Sequence, residues 1–284
     1  MNIVTSLLNG VTFGALLFLV SSGFTIIFGF MRVLNLAHGA FYMWGGLIGD
    51  VVYERTGSFI LGLVGGALAV GVFGWIADIT LFRRVRLMPV REVLLTLGLG
   101  MVMGDLALAV FGGDPKRVSV PDLLGGSVAL GGITFPKYRL VLLVLAIVVY
   151  ALLHFLVVRT RVGATIRAGV DDSEMLEATG TNFTRLGTLV FAAGSALVGA
   201  TGLLGAGFLG SYPGVDTDIL ILAVVVVIVG GLGSLVGAAL GSVAVGLLFS
   251  FGSAYLPSLL YFVIFAPVIV FLYFRPHGIK GLPE

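Results

Sequence analysis

The chain has 284 residues, 58% of them hydrophobic and 11% charged, with a mean hydropathy of +1.15 and a formal net charge of +2. That much apolar surface cannot be hidden inside a water-soluble fold, so the chain must face lipid. The small charge gives no reason to expect a nucleic-acid partner, and the absence of cysteine removes disulfides, thiolate metal sites and a cysteine nucleophile.

Glycine is abundant, at 43 residues, roughly twice its usual share, which predicts helices that approach closely in a membrane. The first apolar run extends to about Phe30 and lacks the basic segment that opens a cleavable signal peptide, so it reads as a retained span. A crossing needs about 20 apolar residues. On that ruler, spans are predicted at 6–30, 36–53, 58–82, 92–112, 140–158, 187–209, 219–235, 237–254 and 258–274. The fold class is therefore an all-α polytopic transmembrane bundle of about nine spans. Eight remain possible, because only glycines mark a break near Gly230–Gly237 in the uncharged stretch 219–254. Residues 1–284 read as a single transmembrane domain, with no polar connection long enough for a soluble one. No internal repeat is visible by eye, although a diverged inverted repeat is hard to see in one sequence.

Basic residues set the orientation. Arg32, the loop carrying Arg83, Arg84, Arg86 and Arg91, the segment with Arg159, Arg161, Arg167 and Arg185, and the tail with Arg275 and Lys280 belong inside. The loop SYPGVDTD, with Asp216 and Asp218, belongs outside. Nine spans with the N-terminus outside and the C-terminus cytoplasmic satisfy these placements. Parity also makes 113–139 external: it carries Lys116, Arg117, Lys137 and Arg139 against Asp114 and Asp122, and its prolines and paired glycines predict short β or irregular structure.

Little in the chain can do chemistry. There is no phosphate-binding G-x-x-x-x-G-K-[ST] loop and no histidine–carboxylate motif, so no catalytic residue, metal site or bound cofactor is expected. Asp50 and Asp78 lie near predicted span ends and read as interfacial carboxylates. Asp105, in GLGMVMGDLALAVFGG, is deeper: it is either an ion site or the cap of a helix that resumes after a glycine break.

The segment RTRVGATIRAGVDDSEMLEATGTNFTRL, 159–186, is too polar to span and reads as short helices. Asp171 is expected to cap one of them, with Glu174 completing a capping box and Gly180 ending it in the left-handed conformation. Asp171, Asp172 and Glu174 together suit the positive end of that helix. Met175, Leu176, Ala178 and Thr179 form a small, mostly apolar face, suited either to a partner's groove or to the bundle's own surface.

In NLAHGAFYMWGG, Asn35 is expected to cap the second span at the cytoplasmic membrane edge, with His38 in its first turn. Alternatively His38 faces the inner mouth of a pathway, with Gly39, Gly45, Gly46 and Gly49 leaving room beside it. In GGLGSLVGAALG, Gly233, Gly237 and Gly241 recur every four residues and predict helix packing. The other reading makes Gly230, Gly231, Gly233 and Gly237 a broken helix whose amides meet a substrate carboxylate.

Three patterns, R-T-R-x-G-x-x-x-R-A-x-x-x-D-x-x-x-x-x-A-x-G at 159–180, N-L-A-H-G at 35–39 and V-G-G-L-G-S-L-x-G-A-x-L-G at 229–241, resemble the Liv-type permease subunits of bacterial and archaeal branched-chain amino acid ABC importers. The resemblance covers nearly the whole chain. It implies an ABC importer permease fold in the cell inner membrane and an ATPase-coupling loop that includes Arg159, Gly163, Arg167, Ala168, Asp171, Ala178 and Gly180. Glu177 and Thr179 depart from the family's more aliphatic pattern. The implied partners are a second related permease, two ATP-binding subunits that hold ATP and Mg2+, and an external solute-binding protein. The implied cargo is a small amino acid, branched-chain by preference, although related permeases carry urea, short amides or other amino acids.

Overall fold

The computed structural model describes residues 3–280 other than 33, 87, 117, 123, 131, 132 and 213; Arg117 therefore lies outside the described residues. In chain order the elements are α1 (Ile3–Met31), α2 (His38–Thr56), α3 (Phe59–Ala77), a π turn (Asp78–Phe82), α4 (Arg83–Val85), α5 (Pro89–Phe111), β1 (Ser127–Leu130), β2 (Ile133–Pro136), α6 (Lys137–Arg159), α7 (Arg161–Asp171), α8 (Ser173–Ala178), α9 (Phe183–Leu209), α10 (Val215–Gly230), α11 (Leu235–Tyr255) and α12 (Leu260–Phe274). The strands form one antiparallel hairpin, pairing Val128 with Phe135, within the segment expected to be short β or irregular.

Each predicted span corresponds to one helix. Seven, Ile3–Met31, Phe59–Val85, Pro89–Phe111, Lys137–Arg159, Phe183–Leu209, Leu235–Tyr255 and Pro257–Phe274, are long and apolar enough to cross a membrane. The other two differ: α2 carries Asp50, Glu54 and Arg55 in its 19 residues, and α10 has only 16. The apolar stretch 219–254 is two helices, parted by Gly231 and Gly233 at φ of +99° and +79°, where a side chain would be strained. Ser234 restarts the chain as an N-cap by accepting from the Gly237 amide.

α1 lies at the centre, with Leu16, Leu17, Leu19 and Val20 at most 1% exposed. α5, α6 and α12 instead turn large apolar side chains outward, among them Met101, Val144, Phe155, Phe262 and Ile269. Water cannot be the solvent of such a surface; lipid or an apolar partner can.

Two triplets of helices pack reciprocally. α1 and α9 run antiparallel, with Phe30 against Phe183, Gly23 against Gly194 and Phe13 against Phe208. α3 lies along α9 through Gly71 and Gly74, while α11 lies along α1 through Gly246 and Ser242. Between them sit the short helices α2 and α10, also antiparallel, whose N-terminal turns meet where Gly39 abuts the Asp216 carbonyl. This is the plan of an inverted-topology repeat, which the sequence did not reveal.

Neither short helix starts at a membrane edge. The His38 ring nitrogen Nε2 lies 3.0 Å from the Val20 carbonyl, and Val20 precedes the end of α1 by eleven residues, about 16 Å of helix. Residues 34–37 therefore lie within the bundle before α2 begins. The expected placement of Asn35 at the cytoplasmic edge is corrected accordingly: Thr96, seven residues into α5, donates to the Leu34 carbonyl at 3.3 Å.

Candidate functional site

The most polar helical element, α7–α8, lies between α6 and α9. Its sharp entry depends on Gly163, whose position against the Leu156 and Val157 carbonyls leaves no space for a Cβ. Thr160 caps α7 by accepting from the Gly163 amide at 3.2 Å, and the Arg167 guanidinium donates back to the Val157 carbonyl. Gly169 lies under the Phe183 ring and Leu176 is buried, so the element is pinned to the start of α9. Its other side is open: Arg159, Ala168, Asp171, Glu174 and Ala178 are exposed, as are Val162 at 57% and Met175 at 66%.

The capping expectation shifts by one residue. Asp171 closes α7, and Asp172 is the N-cap of α8, accepting from the Met175 amide at 2.9 Å. Glu174 then falls at the second helical position, not the third, so no capping box forms. Gly180 takes the left-handed conformation expected of it, at φ +87°.

Asn35 and His38 are both buried. The Asn35 side-chain oxygen accepts from the Ala37 amide at 3.1 Å, and His38 is fully buried with its ring edge-on to Phe24. His38 is not among the residues that line the cavity described below. Gly45 and Gly46 sit against the backbone of Gly199 and Gly202, and Gly237 against that of Gly230, which is close helix packing rather than open space. Gly230 is further covered by the tail, since its carbonyl accepts from the Lys280 amide at 3.1 Å. The helix is broken here, between α10 and α11, but Gly230 and Gly237 pack on each other rather than opening a gap.

A buried polar cluster had no counterpart in the sequence reading. Asp78, expected at the interface, is 0% exposed. It accepts from Arg86 at 2.8 Å and from the Thr188 hydroxyl at 2.6 Å, with Arg83 at 3.7 Å. Arg83 also donates to Thr188 at 2.7 Å. The π turn aims Asp78 inward, and two arginines expected to serve as topology signals fold back onto it. The cluster ties the α3–α4 corner to α9, near its start and the α7–α8 element. The pairing of an acidic span end with RRVR was the only available signal.

At the opposite end of α9, 27 residues or about 40 Å away, a cavity of about 400 Å³ opens between α2, α5 and α10. The exposed Asp114 and Lys116 stand at its rim with Tyr212, and Leu36, Ala40 and Leu97 also line it. The rim is held by the paired backbones of Lys116 and Ser211. Asp218 accepts from Tyr212 at 2.9 Å, and burial together with that bond pushes the Tyr212 hydroxyl up to about 12. Asp105 lines the cavity on an exposed face of an unbroken α5, so it caps no resumed helix. Among the described residues, no three histidine, aspartate or glutamate side chains gather to hold a metal ion.

The sequence profile described as "branched-chain amino acid transport system / permease component" matches residues 6–272. The chain is 28% identical to the high-affinity branched-chain amino acid transport system permease protein BraD of Pseudomonas aeruginosa, over 98% of this chain and 95% of that protein. It is 27% identical to the corresponding permease protein LivH of Escherichia coli K12 and to that of Salmonella typhimurium, in each case over 97% of this chain and 94% of the relative. No solved structure matches the chain. A family of permease components places the chain among membrane transport subunits and not among enzymes. On a match that spans nearly its whole length, this multi-pass membrane protein belongs to the branched-chain amino acid transport system permease family.

Proposed function

We propose that the chain is one of two membrane permease subunits of an ATP-driven importer in the cell inner membrane, carrying branched-chain amino acids by alternating access. Its partners are a second related permease, two cytoplasmic subunits that bind ATP and Mg2+, and an external solute-binding protein. The N-terminus is outside and the C-terminus inside. The observation that carries this reading is the α7–α8 element: anchored by Gly163, Gly169 and Leu176 yet open along Ala168, Asp171, Met175 and Ala178, it has the form of a piece gripped from outside the bundle. Motion imposed there passes to α6 and α9, to which it is joined.

Two variants test it. Asp171→Ala with Glu174→Ala removes exposed carboxylates and spares the Asp172 cap, so the subunit still inserts while copurification of the ATP-binding subunits falls. Unchanged copurification contradicts docking through this helix. Leucine uptake by proteoliposomes holding the whole complex requires ATP and survives an ionophore; an ion-coupled carrier behaves the opposite way.

A further inference from the structure

The two short helices begin deep in the bundle, and one side of their meeting point is left open. There the cavity between α2, α5 and α10 has a lining that is part polar and part apolar. Its lining includes the charged Asp114 and Lys116 and the polar Tyr212, together with the apolar Leu36, Ala40, Met43 and Leu220. A volume of about 400 Å³ falls within the roughly 300–1,000 Å³ typical of small-ligand pockets.

Asp216 is half-buried in the first turn of α10 and lines the cavity. Its neighbour Asp218 is engaged by Tyr212 and Tyr261 at 2.9 and 3.5 Å, but the Asp216 carboxylate has no hydrogen-bond or ion-pair partner among the described residues. Opposite it on α5 is Gly104, where an added Cβ would meet only Asp216 Oδ2, at 3.5 Å. An unpartnered carboxylate, an unfilled gap and an apolar wall therefore occur together in one cavity.

We propose that this cavity is a transit subsite for the cargo, taking a zwitterionic aliphatic amino acid with its ammonium group on Asp216 and its branched side chain against Leu36, Ala40 and Leu220. The inference rests on the permease reading above. A single ion pair at a partly solvated carboxylate is weak, which suits a site that must release what it receives. The mouth lies at the end of α9 remote from α7–α8, so a cytoplasmic coupling element places it on the side from which a solute-binding protein delivers.

The test is leucine uptake by the complete importer in proteoliposomes. Gly104→Leu fills the gap without meeting backbone and is expected to lower uptake by about tenfold or more through steric exclusion. Asp216→Asn is expected to lower it about three- to fivefold, in line with one half-exposed ion pair, with recovery in Asp216→Glu. Gly98→Leu, on the same helix but outside the cavity and with no neighbour within 4 Å, leaves uptake unchanged.

A second readout does not depend on those variants assembling. The chain has no cysteine, so Thr217→Cys places a single thiol at the cavity wall, and millimolar leucine is expected to slow its modification by a thiol reagent in the assembled complex. Wild-type uptake in Gly104→Leu and Asp216→Asn, or a Thr217→Cys modification rate indifferent to leucine, overturns the subsite alone. A wild-type complex without ATP-dependent uptake overturns the permease reading, and the subsite with it.

Discussion

The α1–α3 and α9–α11 triplets follow one plan, a long helix, a connection that dips into the bundle and a short helix that starts there, yet the two connections have opposite chemistry. In the first, Asn35 and His38 turn inward to the protein's own backbone and are at most 1% exposed. In the second, Tyr212, Asp216 and Asp218 are half-buried and border an open cavity. The first connection is sealed, so its polar side chains serve packing; the second is left open, so its polar side chains have somewhere to act. Motif prominence gave the opposite ranking, since N-L-A-H-G attracts attention and SYPGVDTD does not.

The largest effects should come from breaking what the triplets share. Gly45 faces the backbones of Gly199 and Gly66, and Gly237 that of Gly230. Replacing either with Leu forces helices apart that have no side-chain layer to rearrange. Each variant is expected to abolish recovery of folded subunit, read as loss of the monodisperse peak on detergent size exclusion. Normal recovery of Gly45→Leu contradicts the close α2–α9 approach.

Next is the joint between the first triplet and α9. Removing one partner of a fully sealed ion pair costs about 3–5 kcal/mol. Here the arginine side chains remain 33% and 20% exposed, so Asp78→Ala should cost less, about 2–3 kcal/mol. Thermal inactivation of the detergent-solubilised subunit measures it, and an unchanged midpoint means that Asp78 holds nothing.

The sharpest contrast compares the two connections directly. His38→Ala loses the Val20 contact and the Phe24 packing and should cost about 2 kcal/mol of stability. Asp216→Asn should leave stability within about 0.5 kcal/mol, as expected for a side chain without partners, while impairing uptake. If the two variants exchange these phenotypes, the division between a sealed and an open connection is wrong.

Much of this architecture was legible in the chain. Hydropathy located all nine helical segments, and glycines marked the break between α10 and α11, because both signals are local. Short β or irregular structure within 113–139 and the short helices of 159–186 were readable for the same reason. Depth was not legible. A hydropathy window reports how apolar a stretch is, not where along the bundle axis it begins, so α2 and α10 looked like ordinary spans. The Asp78 cluster joins residues 78 and 188, a separation no local pattern reports. The displaced cap arose because Asp171 and Asp172 are adjacent and equally able to cap; only the backbone turn at Asp172, with φ −150° and ψ 99°, decides between them.

The central claim is that the ends of α9 face opposite sides of the membrane, the coupling element toward the cytoplasm and the cavity mouth away from it. In this cysteine-free chain, Met175→Cys and Thr217→Cys can be compared with one membrane-impermeant thiol reagent on intact spheroplasts and on inverted vesicles. We expect Thr217→Cys to react in spheroplasts and Met175→Cys only in inverted vesicles. Reaction of Met175→Cys from the outer face, or of both positions from the same face, contradicts the account.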